Sequence, residues 1–331
     1  MKTNKGKIFL LIALILILTL LLIQSVLLGY IKTSFEDFIN TYKNYSNITE
    51  HIIIKSSRVP RTIIALFVGA SLSVSGVLMQ TLTKNPMASP GLMGINSGSA
   101  FFMVLTYSLL PSISQNYIIL FSFLGAAISV ILVYILAGGI RGSIQTFDLT
   151  LAGAAVSAFF ISLMQIFLYK DQKTMEEILY WLTGSVEGKS LDSLIKIAPL
   201  LLTALLISFL LSNKLNILSL GEDTAKGLGL NTEVLKIQII ILVVILAGGS
   251  VSVAGPIGLI GLIIPHITRS LVGSEFKWVI PYSMVLGAIL LLSADIISRF
   301  IIYPKEIPVG AITAILGTPF FIYLARKAEN N

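Results

Sequence analysis

Eight stretches of this chain run for 17 or more residues without Asp, Glu, Lys or Arg, and nothing else in the sequence limits its fold as much. A helix needs about 20 apolar residues to cross roughly 30 Å of hydrocarbon. Residues 8–31, 62–83, 149–169, 197–213, 278–294 and 307–325 each suit one crossing. Residues 85–140 are long enough for two, with a polar turn at 111–116. Residues 237–268 break at Gly255 and Pro256 and give one full and one short helix. The expectation is an all-α polytopic membrane protein of about ten helices. The first stretch follows Lys2, Lys5 and Lys7 but exceeds a secretory h-region and lacks its cleavage site, so a retained first helix is expected.

Composition agrees. Only 12% of the 331 residues are charged, against about 25% in soluble domains, which favours one membrane-embedded unit over 1–331. With no cysteine, a disulfide framework, a thiolate metal site and a cysteine nucleophile are excluded. Two histidines, His51 and His266, cannot build a histidine-rich metal cage. The net charge of +7 lies between apolar blocks, a pattern of basic residues flanking membrane spans rather than a nucleic-acid surface. Over the short loops, an inside N-terminus gives 12 basic residues inside and 6 outside, the bias that fixes orientation. Both termini are then cytoplasmic, 31–61 is the first extracytoplasmic loop and 214–236 a cytoplasmic one.

A shift of 179 residues lays 69–76 (GASLSVSG) on 248–255 (GGSVSVAG) with five of eight identical. At the same offset Pro86 meets Pro265, Leu92 meets Leu271 and Gly94 meets Gly273. Either small-residue helices are alike by composition, or helices 2–5 recur as helices 7–10. Five helices is an odd shift, so such copies run in opposite directions, as in the inverted repeats of transporters. Small residues let helix backbones approach, and Gly/Pro breaks are tolerated where freed backbone faces protein or a water-filled cavity. Residues 85–94 and 248–265 are therefore candidate pathway walls or hinges, with tight packing as the plain alternative.

Residues 184–190 (GSVEGKS) miss a phosphate loop, having three residues between the glycines where that motif has four. A proton-coupled carrier needs an acid or histidine deep in the membrane. The best candidate, Asp295, has Arg299 at i+4 near a helix end, which suits a structural pair. Ser270 with His266 lacks a third group and an oxyanion element. The chain reads as a translocation pathway, not an enzyme, and without its own energy source; an ion-gradient-driven carrier is the alternative. Within 220–231, Gly221 ahead of Glu222 and Asp223 suits a helix start, and Gly227 and Gly229 suit a stop and a sharp turn. Two short surface helices there would offer a docking knob; an ordinary solvated loop would look similar.

These features together resemble the FecCD-type permeases, the cobalamin-permease-like membrane subunits of type II ABC importers for iron–siderophore, haem and cobalamin. The likeness is carried in order by residues 58–61 (RVPR), 69–80, 85–91 (NPMASPG), 221–231, 258–269 and 294–308 with Gly310. It implies a second permease copy, identical or paralogous, two ATP-binding subunits that hold Mg-ATP, and an extracytoplasmic substrate-binding protein. It implies no cofactor or metal in this chain. Arg58, Arg61 and Arg299 match the family's docking arginines for the binding protein, with Asp295 holding Arg299; lipid-headgroup anchoring is the alternative for Arg58 and Arg61. Gly221, Glu222, Asp223, Ala225, Gly227, Leu228, Gly229 and Asn231 match the coupling helices that contact the ATPase. Helices 5 and 10 line the family's pathway, and its gates fall at Asn85 and Met87 and at Thr146 and Phe147, although Phe147 is bulkier than expected there. Ferric siderophore is the first expected cargo, with haem and cobalamin open, and the location is a bacterial cytoplasmic membrane.

Overall fold

The computed structural model describes residues 3–110, 113–139, 146–168, 172–302 and 305–329. Ten helices cross the bundle among them: α1 Asn4–Leu27, α2 Thr49–Thr83, α3 Ile95–Leu109, α4 Gln115–Leu136, α5 Thr146–Leu168, α6 Leu191–Leu210, α7 Thr232–Ala254, α8 Ile260–Val272, α9 Phe276–Ser298 and α10 Val309–Glu329. Seven of these are long and apolar enough to cross a membrane; α8 and α10 carry shorter apolar stretches, and α3 has 15 residues. No β-strand occurs among the described residues, where an isolated bridge joins Ile302 to Lys305. Ten alternating crossings put both termini at one face, the terminal face. α2, α4, α6, α8 and α10 start at the opposite face.

α8 shows why the spans differ in length. Its 13 residues rise only about 20 Å, and the non-helical segment 255–259 covers the remaining depth. Gly255 and Ile257 in it are buried, Pro256 and Leu259 half-buried and Gly258 exposed, so the irregular backbone is covered by protein on one side, as is tolerated at membrane depth where the other side meets a cavity. At its start Gly255 has φ +75, and an added Cβ would collide with the Trp181 carbonyl.

α2 is the central helix. Most of its length is buried, and it packs most extensively on α9 and then α8. A Cβ on Gly69 would lie 2.9 Å from the Ala288 Cα of α9, and one on Gly76 would strike the Gly261 backbone of α8. With such close approach Ser73 Oγ reaches the Ser283 carbonyl of α9 at 2.6 Å. The echoing octet behaves alike: Gly248 of α7 sits where a Cβ would come within 2.9 Å of Ala126 on α4. Thus α2 packs on α9 and α7 on α4, partners that again differ by five helices. Beyond the octet the copies part. α2 runs on to Thr83, whereas α7 stops at Ala254. The fixed offset therefore pairs Pro86, in a connecting segment, with Pro265 inside α8.

α1 lies at the rim with most of its surface uncovered. At the terminal face, the buried Tyr282 hydroxyl donates to the Lys7 carbonyl, and Lys7 Nζ lies 5.7 Å from the Trp278 ring centroid.

Candidate functional site

At the opposite face, the end of α1 meets the start of α2 and the end of α9. The last four carbonyls of a helix lack intrahelical donors, and at α1 each one is accounted for. Leu28 N–H donates to Gln24 O at 2.7 Å. Arg299 Nη1 donates to Ser25 O at 2.6 Å. Arg58 Nη1 donates to Val26 O at 3.0 Å and Leu27 O at 2.8 Å. Cations there also suit the negative end of the helix dipole. Arg58 further donates to the Ile31 carbonyl and the Thr33 hydroxyl, and Arg299 Nη1 to Leu28 O at 2.7 Å. A π-helical turn, Ile54–Arg58, brings Arg58 to this position. Gly29 leaves room for it: an added Cβ would sit 2.6 Å from Arg58 Nη2.

Asp295, fully buried, holds the cluster together. Its Oδ1 accepts from Arg61 Nη2 at 2.7 Å and Nε at 3.2 Å, and its Oδ2 from Arg299. Arg61 also forks onto Glu306, Nη2 to Oε2 at 2.8 Å and Nη1 to Oε1 at 3.2 Å. Ser25 Oγ pairs with Thr62 Oγ1 at 2.7 Å and accepts from Arg299 Nη2 at 2.9 Å. Three guanidiniums against two carboxylates leave one positive charge, and Arg58 is the guanidinium without a carboxylate partner.

The resemblance implied three arginines offered to a partner. In the chain itself Arg58, Arg61 and Arg299 are 4%, 4% and 6% exposed, because an open helix end and a buried aspartate claim most of their donors. Glu306, which the sequence reading passed over, is the cluster's accessible acid, with 26% of its side chain exposed.

The 220–231 region forms a knob at the terminal face. Ser212–Ser219 and Glu222–Gly227 are two short helices, of which only the second lies within 220–231, where two were expected; the first precedes it. Gly221 at φ +120 turns the chain into the second, and Gly229 at φ +80 leads out of it. Asn231 caps α7, its Oδ1 accepting from Val234 N–H at 3.0 Å. Glu222 fastens the knob to α7, 2.7 Å from Lys236 Nζ and 3.2 Å from Lys226 Nζ. Hydrogen bonding from Lys236, opposed by partial burial and helped by Lys226, holds the Glu222 carboxyl below the usual glutamate range. Asn216 ties the first helix to the bundle by accepting from Phe276 N–H at 3.0 Å, at the start of α9. Ala225 is buried, Asp223 and Gly227 are exposed, and Leu228 points out with 62% exposure.

Asn85 and Met87 sit in the connection between α2 and α3, half-buried. Asn85 Oδ1 accepts from Met87 N–H at 2.8 Å, which closes a tight turn. The connection then leans on α5: a Cβ on Gly153 would collide with the Leu92 carbonyl. Thr146 begins α5, with its side chain outside the described residues, and Phe147 is largely exposed. Asn85 and Phe147 therefore occupy different elements at the same face. Among the described residues no cluster of His, Cys, Asp and Glu could hold a metal ion.

The sequence model of the FecCD transport family matches residues 15–327. The chain belongs to the FecCD transport family. It is 47% identical over 326 residues to a protein named "Probable siderophore transport system permease protein YfiZ" of Bacillus subtilis, covering 98% of both chains. It is 41% identical to the Fe(3+) dicitrate transport system permease protein FecC of Escherichia coli, covering 83% of each. Its fold overlays, at a TM-score of 0.85 and 31% identity, on a structure described as "an inward-facing conformation of a putative metal-chelate type ABC transporter", over 96% of this chain and 99% of that one. This FecCD chain is a multi-pass membrane transport subunit, not an enzyme.

Proposed function

We propose that this chain is the permease subunit of an ATP-driven importer that moves ferric siderophore into the cytoplasm. The observation that carries the cargo is the 47% identity, over 98% of both chains, to YfiZ, a protein whose name assigns it to siderophore transport as probable. The terminal face is cytoplasmic in this reading, since Lys5, Lys7 and Arg326 lie there and basic residues stay inside. The knob is then the ATPase contact. It is short and exposed at Leu228, and Lys236 and Asn216 fasten it to α7 and α9, so a push on it reaches two helices. Mg-ATP belongs to the partner subunits.

The open faces of α5 and α10, with Leu151, Phe159, Ile161, Ile315 and Leu316 exposed, suit a second permease copy across a central pathway. Asn85, Met87, Thr146 and Phe147 lie at the cytoplasmic mouth of that pathway. The arginine cluster lies on the outer face, where its one uncompensated charge attracts an acidic binding protein. Because Glu306 already occupies Arg61, an incoming carboxylate docks by taking its place.

A gradient-driven carrier is disfavoured because Asp295, the acid it would use, is already engaged by both Arg61 and Arg299. The reading is tested by co-purification and by uptake of radiolabelled ferric chelates. The expected result is two permease copies with two ATPases, and uptake selective for siderophore over haem and cobalamin. Uptake of haem or cobalamin in preference would overturn the cargo.

A further inference from the structure

We propose that the groove between α4 and α6 binds one anionic phospholipid from the leaflet at the arginine-cluster face, with its phosphate on Lys196. This inference rests on membrane embedding alone and is independent of the transported cargo. The groove has a volume of about 510 Å³. Its floor is apolar, formed by Leu120 and Phe123 of α4 and Ile197 and Leu200 of α6, and its mouth carries Tyr117 and Lys196. Two other grooves, of about 270 and 330 Å³, have no charged residue in their walls.

Lys196 is the sixth residue of α6, about 7–8 Å along the axis from the helix start. Its ammonium therefore starts below the interface and reaches up along its own methylene stem. It forms no ion pair among the described residues. Asp192, four residues earlier on the same helix, is not bonded to it, and α4 carries no charged side chain at all. Among the described residues no acid supplies its counter-charge, which leaves it open to a ligand from the bilayer. A phospholipid supplies both parts at the right heights. Its acyl chain covers the apolar floor, and its phosphate meets the ammonium beside Tyr117, a residue type that favours the headgroup level. A neutral zwitterionic headgroup fills the same floor but places its own cation near Lys196, so an anionic headgroup is preferred.

The test uses the full chain, purified in detergent and titrated with phosphatidylglycerol or phosphatidylcholine of matched acyl chains, with bound lipid counted by native mass spectrometry. Wild type is expected to hold one phosphatidylglycerol about tenfold or more tighter than phosphatidylcholine, the effect of a hydrogen bond to a charged group. Lys196→Gln should abolish the preference with unchanged thermal unfolding, and Lys196→Arg should keep it. Inorganic phosphate should fail to displace the lipid. Equal retention of both lipids by wild type, a preference that survives in Lys196→Gln, or displacement by inorganic phosphate would each overturn the proposal. So would a Leu200→Cys disulfide between two copies, which would mean that protein and not lipid covers the groove.

Discussion

Neutralising Asp295 tests whether the arginine cluster holds the bundle together. Asp295→Asn preserves shape but removes one of two carboxylates facing three guanidiniums, so the local excess rises from one positive charge to two. The amide oxygen can still accept from one guanidinium, but the other then faces an NH2 donor: Arg299 would be left with the Ser25 and Leu28 carbonyls and the Ser25 hydroxyl, or Arg61 with Glu306. Asp295 is fully buried, and breaking a buried pair costs about 3–5 kcal/mol, a shift in the folding equilibrium of roughly a hundred- to five-thousandfold. The assay is reversible unfolding in mixed detergent micelles, followed by the near-UV signal. Combining Asp295→Asn with Arg299→Met should be less harmful than the sum of the two single changes, as expected within one network. A stability loss below about 1 kcal/mol, or strict additivity, would refute the role given to this cluster.

Gly29→Ala pushes a methyl group onto Arg58 Nη2 and should cost about 1–3 kcal/mol in the same unfolding assay. Gly76→Ala drives a methyl into the Gly261 backbone of α8 and should cost at least as much, whereas Gly227→Ala meets no atom within 4 Å and should leave stability unchanged. Glu306→Gln frees Arg61 and should tighten the binding protein about two- to fivefold at low salt, the value of a partly exposed ion pair, as read by surface plasmon resonance. Because the folded Glu222 carboxyl is held below its ordinary range, its contribution is fully present above that range and fades as pH falls through the lowered value. Protease cutting of 219–231 should therefore rise only in acid for wild type, and already at neutral pH for Glu222→Gln.

The spans were legible because a missing charge over 17 or more residues has one physical use. The knob was legible for a similar reason, since Gly221 and Gly229 stand where the backbone takes positive φ. The octet echo was legible through residue size: Gly69 and Gly248 both mark close helix contacts. Its continuation misled, because two extra turns of α2 displace Pro86 from the structural position of Pro265. The arginine cluster was half legible. Arg299 with Asp295 is visible at i+4, but the main partners of Arg58 are backbone carbonyls at the end of α1, which have no signature in sequence. Arg61 lies 234 residues from Asp295, so nothing local joins them, and Glu306 was an ordinary loop acid until Arg61 was found beside it.

The central claim is that a separate ATPase drives transport through this chain. It is tested most directly by sealed proteoliposomes containing the permease with its ATPase and binding protein, with ionophores collapsing every ion gradient. The account predicts ferric-siderophore accumulation that requires ATP on the knob side and stops when the ATPase is omitted. Accumulation that persists without the ATPase, powered by an imposed proton or sodium gradient, would contradict it.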